Sequence, residues 1–510
     1  MYYLPIAFFI VSGISLLITY LSITIKKTAM EIVNNMGIGY NLANTFDCFD
    51  DTNSGKIKNP IDQITLWGNS FPTKKMISNI KKNGFNTIRL PVTWMHFIDN
   101  SGNIKPEWMS SVKKVVNLII KQKIYCILNI HGDSKAGFWL YNGMKSKDKY
   151  VNLWTQIANE FKNYNEYLIF ESMSDIEYPS DPNYMEILNL NQIFIDTIRN
   201  SGGKNGDRLL LIAGVNKDII RTYSSEYKMP IDPSNKFAIS LHYYDPNQFT
   251  KEPDDNPWSW KDDKGVTNII IPLTHWGHEI DYKDMFTNFE SIKKAFIDKE
   301  IPVVIVEISV ITEQKKEKES IRSFLYFAFS MSVSYNGIMS CLYDTSNKGL
   351  MNYYNRENDK WYDEKIGENF KKISKGNFPK PTDYFFFSNS DTMFTTFQDS
   401  LKMKFGAKKA LKVIFNCAIT IDDRGSVGFG VSSFDKNGVW TGEGYSGIIG
   451  ERKFDGTYTF TIDISNKDYH NEITIAKWWG NDFIIFKYLT IEFEEKYTFF
   501  NFDSYFKVIS

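Results

Sequence analysis

Gly84-Phe85-Asn86-Thr87-Ile88-Arg89-Leu90-Pro91-Val92, then Val112, Val115, Val116, Ile119 and Ile120, then Tyr125-Cys126-Ile127-Leu128-Asn129-Ile130 make one strand–helix–strand unit. The outer runs are short and almost wholly apolar, as in strands buried on both faces, while the middle positions recur at helical spacing. The same alternation extends outward from about residue 31 to 375. Further strand-like runs are Gly37 to Asn41, Tyr167 to Phe170, Leu209 to Ala213, Ala238 to His242, Val303 to Glu307 and Ile338 to Tyr343. Trp154, Ile157, Ala158 and Phe161, then Leu190, Ile193, Phe194 and Ile198, repeat at helical spacing between them. Eight such units predict an α/β fold, a (β/α)8 TIM barrel with a parallel sheet closed on itself.

The rhythm breaks at Lys375-Gly376-Asn377-Phe378-Pro379-Lys380-Pro381-Thr382-Asp383, where helix breakers cluster. Beyond it strands are expected at Leu411 to Ile421, Ser426 to Phe434, Thr457 to Ile464, Glu472 to Lys477, Phe483 to Phe493 and Tyr497 to Ile509. Turn residues at Asp422 to Gly425, Asp435 to Gly438 and Gly480 to Asp482 separate several of them. The expected organisation is a barrel over 31–375, a linker over 376–390 and a C-terminal β-sandwich domain over 391–510. Trp440, Tyr445, Trp478 and Trp479 invite a carbohydrate-binding reading of that domain, against a plain structural one, because exposed rings stack on sugar faces. At the other end, Tyr2 to Ile25 is an apolar run closed by Lys26-Lys27, long enough to span a bilayer. Residues 1–30 therefore read as a signal peptide or a membrane anchor. An n-region without Lys or Arg argues for the anchor, and the position of Lys26-Lys27 argues against export of the barrel.

The chain has 510 residues, 43% of them hydrophobic and 23% charged, which is globular composition and large enough for more than one domain. Lys and Arg number 59 against 60 Asp and Glu, leaving no basic surplus for phosphates, so nucleic acid is excluded as the expected partner. Cys48, Cys126, Cys341 and Cys417 are scattered, without the paired spacing of a zinc cage or a disulfide framework. No metal or organic cofactor is expected. Aromatic residues reach 16%, enough to furnish platforms for flat apolar ligand faces.

In a barrel of this kind the chemistry gathers at the carboxyl ends of the strands. Polar residues there are Asn44, Arg89, His131, Ser174, Asp175, His242 with Tyr243 and Tyr244, Glu307, and Tyr343 with Asp344. Asp175 after the fourth strand and Glu307 at the end of the seventh would face one mouth. Two carboxylates with an Arg, two His and aromatic walls are the equipment of glycoside hydrolysis. The segment Tyr244 to Ile280, with Trp258, Trp260 and Trp276, is too long for an ordinary connection and reads as one cleft wall. Trp67, Trp94 and Trp139 are expected in loops above the barrel.

Met36-Gly37-Ile38-Gly39-Tyr40-Asn41-Leu42-Ala43-Asn44-Thr45 resembles the opening of glycoside hydrolase family 5, the cellulase family of clan A, and Gly84 to Val92 resembles its second-strand motif. Asn129-Ile130-His131, Leu168-Ile169-Phe170-Glu171-Ser172-Met173-Ser174-Asp175, His242-Tyr243-Tyr244 and Ile301 to Glu307 resemble its later motifs in the same order. The resemblance covers residues 31 to about 370 and is nearest to the endo-β-glucanase and xyloglucanase branch. It implies Glu307 as nucleophile, Asp175 as acid/base and Arg89 as the group holding the nucleophile ionised. Asn44, Arg89, His131, Ser174, His242, Tyr244 and Tyr343 are expected to bind substrate, and Trp276 joins them from the cleft wall read above.

Four positions depart from the family pattern. The acid/base motif ends in Ser174-Asp175-Ile176 where the family has Asn-Glu, so the carboxyl is one methylene short. That draws it back by about 1.5 Å, one C–C bond, and widens the carboxylate pair. Ser174 replaces the Asn that binds the sugar 2-hydroxyl, Gly132 replaces the second His of a pair, and Tyr343 stands for a Trp floor. Glu171 reads as structural, below the mouth, and Glu177 is an alternative proton donor.

The expected function is retaining, endo-acting hydrolysis of β-linked glucan or a related plant polysaccharide by a monomer at an extracellular or cell-surface location. The alternative is a glycan-binding pseudoenzyme that has lost efficient protonation. A third reading, a membrane-anchored structural protein, rests on the N-terminal run alone.

Overall fold

The computed structural model describes residues 26–50, 54–132, 147–174, 184–215, 219–223, 227–251, 258–261, 267–270, 273–277, 279–312, 316–347 and 349–378, and beyond 378 the backbone of the strands given below. The barrel expected from the sequence is present. Its strands are β1 (Gly39–Asn41), β2 (Thr87–Leu90), β3 (Tyr125–Asn129), β4 (Leu168–Glu171), β5 (Leu210–Ala213), β6 (Phe237–Tyr243), β7 (Val303–Ile308) and β8 (Ile338–Leu342). They pair in parallel in chain order, and β8 returns to β1 through Gly39 opposite Cys341. A Cβ on Gly39 would lie 2.3 Å from the Cys341 sulfur, so this closing pair requires glycine.

The barrel is sealed at its amino-terminal end by α1 (Ala29–Met36). Thr28 and Glu31 cap that helix reciprocally, each side chain taking the other's backbone N–H. Its apolar stripe, Ala29, Ile32, Val33 and Met36, packs with Tyr125, Ile127, Ile169, Leu209, Val304 and Val306. The lower barrel is thus oily and tightly filled. Toward the carboxyl ends the inward positions turn polar: Asn41 lies beside Arg89, Asn129 beside Glu171, and His242 beside Glu307. The outer ring includes Pro106–Ile120, Lys147–Phe161, Tyr184–Asn200, Glu279–Ala295, Lys318–Ser334 and Glu364–Ser374.

Beyond residue 378 the strands form a six-stranded and a five-stranded sheet. Ala410–Thr420 pairs with both Thr457–Asp463 and Phe483–Phe493, near the expected positions. Ser400–Gly406 and Trp440–Ile448 are strands that the sequence reading did not include. Phe385–Phe386, inside the stretch read as linker, pairs with Tyr497–Asn501. Among the described residues no helix is long and apolar enough to cross a membrane, and the run Tyr2 to Ile25 lies outside them.

Candidate active site

Glu307 stands near the end of β7 with both carboxylate oxygens engaged. One accepts a hydrogen bond from Arg89 Nη1 at 2.7 Å. The other accepts from the Tyr244 hydroxyl at 3.0 Å and lies 3.5 Å from His242 Nδ1. Three strands therefore converge on one carboxylate. β2 supplies the cation, and β6 with the residue after it supplies the imidazole and the phenol.

Arg89 is wholly buried and is itself held from below. Glu171 on β4 accepts from Arg89 Nε at 2.7 Å and from Nη2 at 3.1 Å, while Asn129 Nδ2 at 3.1 Å and Ser240 Oγ at 3.0 Å also donate to that carboxylate. Asn41, whose own amide donates to the Val306 and Leu342 carbonyls, accepts from Arg89 Nη1 at 3.0 Å. Burial works against the guanidinium charge, but Glu171 and Glu307 outweigh it and raise the Arg89 pKa. The expectation that Glu171 lies below the mouth as a structural group is met. Its role is more specific than that, because its two oxygens fix the plane of the guanidinium that reaches Glu307. Ser174 directs Oγ at the same group, accepting from Arg89 Nη2 at 2.9 Å.

The other expected site residues divide. His131, after β3, is buried, and its backbone N–H donates to the Val92 carbonyl at 2.8 Å. Asn44, after β1, and half-buried Tyr343, after β8, stand at the same carboxyl end. Trp276 is not on the cleft wall. It is 1% exposed, and its ring packs among Tyr282, Phe324 and Phe327, where an indole offers no free face to a sugar. Trp94 is likewise core, donating from Nε1 to the Asn129 carbonyl, whereas Trp67 is half-buried against Phe49. Tyr243 points away from the mouth and packs against Phe289 and Phe324. Asp344 is also turned away. It takes the Tyr40 hydroxyl at 2.7 Å and the backbone N–H groups of Ser346, Tyr353 and Tyr354, and burial raises its pKa. Asp175, Glu177 and Trp139 lie outside the described residues, as do the side chains of Trp258 and Trp260.

Gly132, where the family resemblance leads one to expect a His, has φ +69, and a Cβ there would lie 2.8 Å from Thr93 Oγ1. That hydroxyl shares its one proton between the carbonyls of His131 and Asp47 and so links the chain after β1, β2 and β3. Sequence reading missed Asn41, Asn129 and Ser240 because each is a single small polar residue within or closing an apolar strand.

The profile of the cellulase family, glycosyl hydrolase family 5, matches residues 49–349. The chain belongs to that family. Endoglucanase A of Paenibacillus barcinonensis is 33% identical over 317 residues, covering 58% of this chain and 76% of that protein. Endoglucanase A of Clostridium longisporum is 30% identical over 372 residues, covering 70% and 68%. A solved GH5-4 broad specificity endoglucanase from an uncultured bovine rumen ciliate superposes with a TM-score of 0.66 at 55% identity, covering 69% of this chain and 99% of that one. As a family 5 member this chain is a retaining, endo-acting glycoside hydrolase. The pseudoenzyme alternative draws no support from these relatives.

Proposed function

We propose that the barrel cleaves β-linked glucan or a related plant polysaccharide with Glu307 as nucleophile and Asp175 as acid/base. The setting of Glu307 carries this reading. Its carboxylate is bonded to a buried guanidinium and to a phenol at the carboxyl end of the barrel, a setting that holds it in place for attack on an anomeric carbon. Attack forms a glycosyl ester on Glu307. Asp175 protonates the departing glycosidic oxygen and then takes a proton from the water that hydrolyses the ester. Asn44, His131, Ser174, His242, Tyr244 and Tyr343 line the sugar site, with Arg89 bearing on it through Glu307 and Ser174. The endoglucanase names of the relatives support glucan as the substrate class.

In this reading residues 391–510 form a β-sandwich that holds insoluble polysaccharide for the barrel, which the two sheets of strands beyond residue 378 support. Residues 1–30 direct the protein to the cell surface or outside the cell, where such substrates occur. The experiment is digestion of a panel of soluble β-glucans by the wild type and by Glu307→Gln. The variant should bind glucan and release no sugar, because an amide cannot form the glycosyl ester. Equal turnover by the two proteins would overturn the assignment.

A further inference from the structure

Asn44, in the loop after β1 at the carboxyl end of the barrel, has a left-handed backbone, with φ 55. Asparagine tolerates that conformation better than most residues, but it still needs fixing by its surroundings. The fixing comes from buried side chains. The two carboxylate oxygens of Asp47 accept the consecutive backbone N–H groups of Asn44, at 3.0 Å, and Thr45, at 2.7 Å. Arg356 Nη2 holds the Ala43 carbonyl at 2.8 Å, and Asn69 Nδ2 holds the Asn44 carbonyl at 3.1 Å. The peptide units on both sides of Asn44 are thus pinned by groups reaching in from separate parts of the chain. Asp47 is 1% exposed and takes no part in the network around Glu307 described above.

We infer that Asp47 is a positioning residue for glucan binding, its carboxylate holding Asn44 in the geometry that meets a sugar hydroxyl. The inference rests on the hydrolase reading given above. Only the ionised carboxylate offers good acceptors to both N–H groups at once, since a protonated oxygen becomes a donor facing a donor. Burial pushes the Asp47 carboxyl up to about 6, with the backbone N–H groups and the Arg356 charge opposing that rise. Arg356 and the Cys48 thiol are the titratable groups facing it among the described residues, and burial pushes Cys48 far up, so the thiol stays neutral across this range. Acid should therefore loosen the Asn44 loop and weaken binding without touching the chemistry at Glu307.

The test uses the full chain on one soluble β-glucan from pH 4.5 to 8. Asp47→Asn should raise KM about tenfold, the worth of one well-placed hydrogen bond, and leave kcat within about twofold. Asn44→Gly, which keeps a permissive backbone, should raise KM similarly, and adding Asp47→Asn to it should change little further. In the wild type KM should climb below pH 6, and in Asn44→Gly that climb should vanish, a comparison that stands even if Asp47→Asn folds poorly. An unchanged KM in Asp47→Asn, or effects that multiply in the double variant, would overturn the inference. A wild type that cleaves no glucan in the panel would instead remove the hydrolase reading beneath it.

Discussion

Glu307, the proposed nucleophile, shows how much of a carboxylate's setting is fixed by its neighbours. Arg89 must satisfy Glu171 with two nitrogens and Glu307 with a third, a demand that a planar fork meets and an ammonium does not. Arg89→Lys should therefore lower kcat by about 10² or more, since the ammonium cannot hold both acids in place. Arg89→Ala should go further and cost about 3–5 kcal/mol of stability by leaving two buried carboxylates without their cation. Thermal melting beside initial rates separates the two effects, and a wild-type rate in Arg89→Lys would deny the arrangement. Ser174 adds a further expectation. Its hydroxyl already accepts from Arg89, so Asp175→Glu with Ser174→Asn should raise activity on natural glucan, with at most the 10² to 10⁴-fold worth of general acid catalysis to recover. Activity on an aryl glycoside with a good leaving group should rise less, and an equal gain on both substrates would place the defect elsewhere. Arg89 and Glu307 were legible because charged side chains interrupt apolar strands. Asp344 and Tyr243 also stand at strand ends but turn away, which a one-residue register along such an end decides and composition does not reveal.

At the scale of strands and loops, the eight barrel strands were readable because burial on both faces leaves nearly unbroken apolar runs. Trp440–Ile448 was not, since Gly442, Gly444 and Gly447 dilute its β signal. Trp276 was misread for the opposite reason: a long connection suggests a wall, but the ring folds back among Tyr282, Phe324 and Phe327. The loop after β3 can be tested directly. Restoring the family's histidine by Gly132→His would force a side chain onto a backbone at φ +69 and a Cβ against Thr93 Oγ1. It should cost about 1–3 kcal/mol and lower the melting temperature by several degrees, with no gain in turnover. A stable, faster variant would show that the loop adapts freely.

Across the whole molecule, the barrel and the C-terminal strands divide binding from chemistry in the proposed function. Deleting residues 385–510 should leave turnover of soluble glucan nearly unchanged and reduce pull-down on insoluble polysaccharide. Equal pull-down would make those strands structural. Asp47 also leaves a mark on the stability of the entire barrel. Its folded pKa, about 6, lies above the ordinary value near 4, so between those limits the folded chain binds more protons than the unfolded one. Its contribution to stability is then fully present below about pH 4 and lost as pH rises toward 6 and beyond. The melting temperature of Asp47→Asn relative to wild type should accordingly increase from pH 4 to 7, and a flat difference would contradict the burial argument.

The plug formed by α1 has a practical corollary. Lys26 and Lys27 lie beside Asp207 and Glu166 at the closed end of the barrel, while Glu307 opens at the other. A bead, a cell wall or a fusion partner joined through residue 26 would grip the enzyme by its base. The cleft would then look outward, free to admit a polymer from the surroundings, whereas attachment through a surface loop at the mouth would stand in the polymer's way.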